Sequence, residues 1–416
     1  MKRAIFIFII FFFIGFSASA WDFKSGDIYY NVTSTFNRTV EVTYYFYTEY
    51  PVGGPYTDSL YSGNIIIPDS VFYDGNYYLV TSIGYRAFYH CLSLNSVTMP
   101  NTIDSINDFA FLYCSLDTIN IPASVTYIGD GAFSACPYLM TINVDENNEN
   151  FVSLNGILFS RSLHTLISYP AGRVGHYSIP NIVNTISSLA FDGCTGLTSV
   201  TIPNSVYTIL DNAFNHTGLT TVIVPNSVNF MGEGTFANCL YLSSVFLGNS
   251  LTSIEQVTFA GCENLDSLTI GNSVDSIKAE AFLNCDLKWM RLKTITPPKI
   301  ERNSIPISRQ IPVHIPCGTT AAYQSVYPWS QFTNYIEDCT TGIEETETES
   351  IIVYSNNGHI IVKNAPDEDI YVFDILGKCI SYNKAIGSEI ISIPTPIPGI
   401  YLVKIGSRES KKVVVH

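Results

Sequence analysis

Seven of the ten cysteines recur at a nearly constant spacing, and a thiol can bind a metal, form a disulfide or attack a substrate. They are Cys91, Cys114, Cys136, Cys194, Cys239, Cys262 and Cys285. Each cysteine lies three residues after an Ala-Phe or Thr-Phe pair, as in "DGAFSACPYL" at 130–139. The first question is therefore whether these thiols do chemistry or belong to a repeated structural unit.

Metal binding and disulfide formation both explain this set poorly. The number of cysteines is odd, the sequence has no C-x-x-C motif, and the phrase at Phe214 carries His216-Thr217 where the others carry a cysteine. Stacked turns about 5 Å apart would put Cα atoms within disulfide reach, but parallel Cβ vectors are a poor starting geometry. We therefore predict reduced structural thiols that donate S–H groups to nearby carbonyls, with no metal site and no cofactor.

Cys317 and Cys339 lie outside the repeated phrases and are 22 residues apart. The segment between them reads as a short helix that closes the open end of a repeat array. In an exported protein such a pair is a candidate disulfide, and we predict one here. Cys379 would then remain unpaired.

The remaining titratable residues form no recognisable catalytic set. The sequence contains no G-x-S-x-G, H-E-x-x-H, P-loop or glycine-rich dinucleotide motif, and its seven histidines are scattered. Carboxylate pairs such as Asp104 and Asp108 lie on loops of the repeats, where charge is usually solvated. The net charge of −15 excludes a nucleic-acid binder, which needs a basic face. We expect a protein that is not an enzyme.

The phrases recur with a period in the low twenties. Their phenylalanines lie 22 or 23 residues apart, except for one step of 58 between Phe133 and Phe191. A fixed period of this length predicts a solenoid in which every repeat is one stacked turn. Within a turn, the L-x-x-V-x-I-P pattern at 197–203 alternates apolar and polar residues, which indicates a short strand ended by proline. The 27 Tyr and 25 Phe also favour mostly β structure.

These residues resemble the BspA-like (Treponema-type) class of leucine-rich repeats. The pattern L-x-x-[IV]-x-[IV]-P-x-x-[IV]-x-x-I-x-x-x-[AT]-F-x-x-C matches from residue 80 to about 295. The resemblance implies a right-handed leucine-rich-repeat solenoid of 22–23 residues per turn, with a parallel sheet on its concave side. It also implies adhesion to host proteins or to other cells. The alternative is a surface module that captures glycans or proteins for uptake.

Six segments flank or interrupt the repeats. Residues 1–20 combine Lys2 and Arg3 with a short apolar run and small residues at 18–20, which is typical of a signal peptide rather than a retained anchor. Residues 21–79 alternate like strands and are predicted to cap the first turn, while 296–340 cap the last.

The long step between phrases corresponds to an irregular insertion at 145–180. Asn155-Gly156 between "FVSL" and "ILFS" predicts a β-hairpin there. The hairpin is either a tolerated insertion, which we favour, or a protruding binding element.

An acidic linker at 341–349 precedes a separate β pattern at 350–416, which we expect to form a small β-sandwich. This tail resembles the C-terminal sorting domain of the type IX secretion system of Bacteroidetes, in the blocks at 372–378, 398–405 and 411–415. The resemblance implies that the type IX machinery carries the protein to the Gram-negative cell surface or the medium. We expect no transmembrane segment in the mature chain.

Partner binding would use the residues on either side of the middle apolar position of each repeat strand, because these point to the concave surface. Most are Ser, Thr or Asn, and such a ladder also suits an exposed soluble sheet. Four positions break it: Ile223, Phe246, Trp289 and Arg291. Exposed aromatic residues with an arginine are the composition of interface anchors. The alternative is that Trp289 and Arg291 pack on the C-terminal cap while Ile223 and Phe246 cover each other.

Overall fold

The computed structural model describes residues 21–44, 61–305 and 310–339, together with seven strands after residue 351. The chain divides into two compact units, residues 1–339 and 340–416. The predicted signal peptide and acidic linker lie outside the described residues.

The first unit consists almost entirely of short strands. They are β1 (Phe23–Ser25), β2 (Ile28–Ser34), β3 (Thr39–Thr43), β4 (Ser62–Ile66), β5 (Ser70–Tyr73), β6 (Asn76–Ile83), β7 (Ser93–Thr98), β8 (Ser105–Ile106), β9 (Thr118–Ile121), β10 (Tyr127–Ile128), β11 (Thr141–Val144), β12 (Phe151–Leu154), β13 (Ile157–Ser160), β14 (Thr165–Ser168), β15 (Gly175–Ser178), β16 (Thr185–Ile186), β17 (Leu197–Thr201), β18 (Thr208–Ile209), β19 (Thr221–Ile223), β20 (Phe230–Met231), β21 (Ser244–Phe246), β22 (Ser253–Ile254), β23 (Ser267–Ile270), β24 (Ser276–Ile277), β25 (Trp289–Leu292), β26 (Lys299–Ile300), β27 (Val313–Pro316) and β28 (Tyr335–Asp338). One α-helix, α1 (Thr320–Gln324), and a 3-10 helix, Trp329–Gln331, separate the last two strands.

Each regular turn contributes one strand to each of two parallel arrays. One array contains β4 with β7, β9 with β11, β15 with β17, and the run β19-β21-β23-β25-β27-β28. The other contains the runs β3-β6-β8-β10, β14-β16-β18-β20 and β22-β24-β26. This confirms the predicted mostly-β solenoid. We call the first array the concave sheet, because it is formed by the L-x-x-V-x-I strands.

Parallel stacking extends beyond the predicted repeat region at both ends. The sequence predicts a cap up to residue 79, but β4 already pairs in parallel with β7, and the Tyr61 ring contacts the Phe88 ring at a tilt of 46°, with centroids 4.8 Å apart. At the other end β27 and β28 continue the concave sheet within the predicted cap at 296–340. The structure joins Cys317 and Cys339, which directly follow these two strands, by a disulfide with Cα atoms 4.7 Å apart.

The insertion at 145–180 is more regular than the sequence predicts. The hairpin β12–β13 forms around Asn155-Gly156, but β14 and β15 after it build an ordinary turn, parallel to β16 and β17. The hairpin is not a protruding element, because Leu158 packs in the N-terminal part of the core while Ile157 and Phe159 pack in the C-terminal part. The insertion therefore bridges two halves of the hydrophobic core.

The phenylalanine of each phrase belongs to a column of stacked rings in the core. Consecutive rings from Phe191 to Phe282 lie nearly parallel, with centroids 4.7–5.6 Å apart. Tyr169 takes the ring position of the turn before Phe191, at 5.1 Å. Offset or parallel aromatic contacts of this kind stabilise a pair by about 0.5–1.5 kcal/mol beyond the area they bury.

Except for Cys91, which donates to Tyr89 in its own turn, the cysteine of each phrase bonds the turn before it. Cys114, Cys136, Cys239, Cys262 and Cys285 donate their S–H groups to the carbonyl of the ring residue one turn earlier, with S···O distances of 2.9–3.1 Å. All seven repeat cysteines are buried and form no disulfide, and burial raises the pKa of the Cys114 and Cys194 thiols. Thr217 replaces cysteine in the turn of Phe214, is buried, and lies 3.1 Å from the Cys239 sulfur. The thiols therefore belong to the repeat rather than to a reactive site.

One buried ionisable residue ends a partly buried row of amides beside this column. The Asn215 amide donates to the carboxylate of Asp192 at 2.7 Å, and Asn238 donates to Asn215 at 3.0 Å. Asp192 is only 8% exposed, and burial raises its pKa to about 6, although the Asn215 bond opposes the shift. The native state thus keeps the Asp192 carboxyl protonated at pH values where the unfolded chain, with a pKa near 4, has already released the proton. The free energy of unfolding therefore falls as the pH rises from about 4 to 6.

Asp192→Asn should therefore stabilise the protein at pH 7.5 by up to about 3 kcal/mol, because an amide carries no charge to desolvate. The advantage should shrink towards zero at pH 4, where the native carboxyl is already neutral. Urea unfolding at both pH values measures it, with Asp117→Asn as a control that removes an exposed carboxylate. A variant no more stable than the wild type at pH 7.5 would contradict the assignment.

The second unit contains two antiparallel sheets, as expected for a small β-sandwich. Its strands are β29 (Ile352–Asn356), β30 (His359–Lys363), β31 (Asp369–Phe373), β32 (Cys379–Lys384), β33 (Ile390–Pro394), β34 (Gly399–Ile405) and β35 (Lys411–Val415). The sheet orders are β29-β30-β33 and β32-β31-β34-β35. Ile360, Val362, Val372 and Val403 are fully buried between them.

Candidate interaction surface on the concave sheet

The concave sheet brings the four predicted contact residues onto neighbouring strands. In register, Ile223 on β19 faces Phe246 on β21, which faces Thr269 on β23, which faces Arg291 on β25. Trp289 lies in the adjacent column, next to Ser267. Neighbouring strands are about 4.8 Å apart, so the four side chains span roughly 15 Å of one surface.

Phe246 and Ile223 form an apolar spot on this surface. Phe246 is 45% exposed and Ile223 is partly exposed, whereas Val222 and Val245 beside them in sequence are buried in the core. The alternation of the strand fixes this arrangement, since successive side chains point to opposite faces. The two residues are therefore free of a packing role inside the solenoid.

Arg291 and Trp289 have partners in the last two strands. Arg291 Nε lies 2.8 Å from a carboxylate oxygen of Asp338, without the alignment of a hydrogen bond, and His314 Nδ1 lies 3.0 Å from the other oxygen. The Trp289 ring meets the His314 ring edge-on at 5.8 Å, and the Arg291 guanidinium lies 5.8 Å from the same indole. These contacts agree with the alternative interpretation of the sequence, in which Trp289 and Arg291 pack against the C-terminal cap. The half-exposed ion pair contributes at most about 1 kcal/mol.

Several outward-facing residues of the concave sheet are not identified by the repeat pattern in the sequence. His176 and Ser178 on β15 enter the two columns, and His176 lies between the hydroxyls of Ser199 and Ser178 at 3.0 and 2.9 Å. Ile66 on β4 and Ile336 on β28 also face outwards, 73% and 39% exposed. The "HYSIP" stretch at 176–180 does carry the strand-Ile-Pro ending, but the insertion before it hides the repeat.

The polar ladder of the concave sheet is largely bonded to itself. Asn143 donates to Asn120 at 2.9 Å, and Ser96 donates to Asn64 at the same distance. Such side-chain bonds between turns satisfy the polar groups and hold the sheet soluble. The apolar spot at Phe246 is thus, with Ile66 on β4 and Ile336 on β28, one of the few apolar places on a largely self-bonded polar surface.

No metal site emerges from the described residues. The single candidate cluster there is Cys317, Glu337 and Cys339, whose two sulfurs form the disulfide. Glu337 accepts bonds from the Thr320 hydroxyl and from the backbone N–H groups of Thr320 and Gly318, and these lower its pKa. This carboxylate therefore caps the start of α1 instead of offering a ligand.

The stacked turns, with their Phe and Cys columns, correspond to a known family. A model described as "BspA type Leucine rich repeat region" matches six copies over residues 64–172 and 169–288, more than half of the chain. The chain belongs to the BspA-type leucine-rich-repeat family. Its residues 340–415 match a second model, a domain of unknown function (DUF6383). Comparison with curated proteins gave no match.

Solved leucine-rich-repeat structures resemble this BspA-type chain. A protein from Eubacterium ventriosum is 20% identical, with a TM-score of 0.47, over 78% of this chain and 97% of its own. One from Bacteroides ovatus is 23% identical, with a TM-score of 0.36, over 76% and 100%. The pneumococcal vaccine antigen PcpA is 17% identical, with a TM-score of 0.36, over 78% and 100%. In the part of this chain that the structure describes, no helix has the length and hydrophobicity needed to cross a bilayer.

Proposed function

We propose that this BspA-type protein is exported and binds a protein on a host or neighbouring cell through its concave sheet. The observation that carries the proposal is the exposed pair Phe246 and Ile223 on neighbouring strands of a largely self-bonded polar surface. Interface anchors are typically aromatic side chains surrounded by a polar rim. Trp289 and Arg291 lie on the same sheet and would extend the contact.

The arrangement gives each residue a distinct part in binding. Phe246 would enter a pocket of the partner, with Ile223 enlarging the apolar contact. Arg291 is already paired with Asp338, so it would contribute through its exposed edge and through the indole of Trp289. The surrounding Ser and Thr hydroxyls would form the rim.

Phe246→Ala should weaken binding by about 1–3 kcal/mol, because truncation of a buried aromatic anchor costs that much in measured interfaces. Trp289→Ala should cost a similar amount. The full-length protein is used to capture a partner from host matrix proteins, and its affinity is then measured by calorimetry. Tyr207→Ala is a matched control, since Tyr207 is 46% exposed but lies beside the other strand array.

The unfolding midpoint of each variant has to stay near that of the wild type, because Phe246 faces solvent. If the Phe246→Ala, Trp289→Ala double variant binds the captured partner as tightly as the wild type, the concave contact is excluded. An equal loss in Tyr207→Ala would place the contact on the other side of the turns.

We further propose that residues 350–416 direct export. The support is the order of the three sequence blocks at 372–378, 398–405 and 411–415, together with the antiparallel strands β31, β34 and β35, in which the described residues of these blocks lie. A secretion machinery can bind a separate folded unit at the end of the chain without disturbing the solenoid. The matched family model assigns this unit no function.

Deletion of 350–416 should leave the solenoid folded but stop it from reaching the cell surface or the medium. Cell fractionation measures the location, and the unfolding midpoint of the purified truncated chain reports whether the first unit is intact. Normal amounts of truncated protein at the surface would show that the export signal lies elsewhere.

A further inference from the structure

Arg86 is surrounded by aromatic rings and has no anionic partner among the described residues. Its guanidinium carbon lies 5.1 Å from the ring centroid of Tyr85, 5.2 Å from that of Tyr89 and 5.6 Å from that of Phe109. The side chain makes no hydrogen bond or ion pair with any described residue, and its buried Nε is unpartnered. Buried polar groups are nearly always bonded, so this one requires an explanation.

No carboxylate in the part of the chain that the structure describes pairs with Arg86, although acidic residues outnumber basic ones by 36 to 21 in the sequence. Asp108, whose carbonyl accepts the Arg86 backbone N–H, directs its carboxylate to the following turn. There it accepts the N–H of Asp130 at 3.0 Å and the hydroxyl of Tyr127 at 3.3 Å. Within the described ranges, Arg86 is thus a positive charge without a counter-ion on a strongly acidic protein.

The rings around Arg86 continue across two turns as an exposed cluster. Tyr85 meets Phe109 edge-on at 6.0 Å, and Tyr89 meets Tyr113 at 6.3 Å. Tyr85 is 48% exposed and Tyr113 is 42% exposed, while Arg86 itself is partly exposed. We call Tyr85, Arg86, Tyr89, Phe109 and Tyr113 the Arg86 cluster. It lies on the loops between the two strand arrays and is separate from the Phe246 surface.

The backbone at this cluster is already bonded. Arg86, Phe88 and His90 donate their N–H groups to carbonyls of the next turn, at 2.8–3.2 Å. Phe109, Phe111 and Tyr113 do the same one turn later, at 2.8–3.2 Å. An extended peptide cannot add to this edge as a strand, because such recognition depends on unpaired main-chain groups. A ligand must be recognised by side chains alone.

We propose that the Arg86 cluster binds a carboxylate-bearing saccharide. A guanidinium pairs with a carboxylate through two parallel N–H···O bonds, which is the strongest polar contact open to Arg86. The faces of Tyr85 and Tyr113 carry negative quadrupole potential and can pack against the polarised C–H groups of a pyranose ring. Their hydroxyls can bond the sugar hydroxyls. The rings also fix the guanidinium before binding, which reduces the ordering cost.

Calorimetry with the full-length protein tests the proposal, using 3′-sialyllactose and tetragalacturonate as acidic probes and lactose as the neutral one. We expect at least one acidic probe to bind and lactose not to bind. Arg86→Gln should weaken binding at least tenfold, about 1.4 kcal/mol. Arg86→Lys should retain part of the affinity, since it keeps the charge but loses the paired geometry.

Variants of the rings separate recognition from folding. Tyr113→Ala should weaken binding with little change in the unfolding midpoint, because Tyr113 is exposed. Tyr241→Ala, which removes a 65% exposed tyrosine on a distant turn, should bind like the wild type. The proposal fails if neither acidic probe binds, or if Arg86→Gln binds as well as the wild type. Equal binding of polyglutamate would also overturn it, because the site would then select charge and not a sugar.

Discussion

The rest of the structure depends on backbone hydrogen bonding between equivalent positions of successive turns. Phe88 donates its N–H to Ala110, Phe111 to Ala132 and Phe191 to Ala213, all at 2.7–2.8 Å. Each bond runs from the Phe of one turn to the residue just before the equivalent Phe of the next turn. This constant offset holds the turns in one register, so each side-chain position becomes a column. The Phe rings and Cys thiols recur because each column admits one shape. The thiol bonds to the preceding carbonyl use the same register.

The same register imposes strained backbone that the stack tolerates. Each phrase has two residues with positive φ, and Gly234 or Asn212 suit the first of these positions. Val257 occupies it with φ 50°, although a left-handed conformation costs an L-residue about 1–2 kcal/mol. Strain of this kind persists where the surroundings determine the conformation, and here the neighbouring turns do. Recognition is left to outward side chains, since the backbone of the turns is occupied.

Much of the fold follows from the sequence, because the period and the alternation of the strands are local patterns. The turns that lack the A-F-x-x-C phrase are harder to predict. The strand β4 begins the concave sheet and β15 lies inside the apparent insertion, and the only sequence signal for either strand is the Ile-Pro pair that follows it. The candidate contact residues could be predicted because they are apolar, aromatic or charged at strand positions where the other repeats mostly carry Ser, Thr or Asn. For Trp289 and Arg291 the sequence offers the C-terminal cap as one alternative, but not the particular partner, because the contact of Arg291 with Asp338 joins residues far apart in sequence. The orphan guanidinium of Arg86 likewise depends on rings from two turns, which no spacing rule specifies.

Native-state hydrogen exchange of Phe236→Ala tests the stacking most directly. Phe236 is fully buried between Phe214 and Phe259, at 5.2 and 5.6 Å, and its removal should cost about 3–5 kcal/mol. If turns are stabilised by their neighbours, β19 and β23 should lose protection along with β21, while the exposed Phe230→Ala should leave all three protected. Loss confined to β21, or equal loss in Phe230→Ala, would contradict the account.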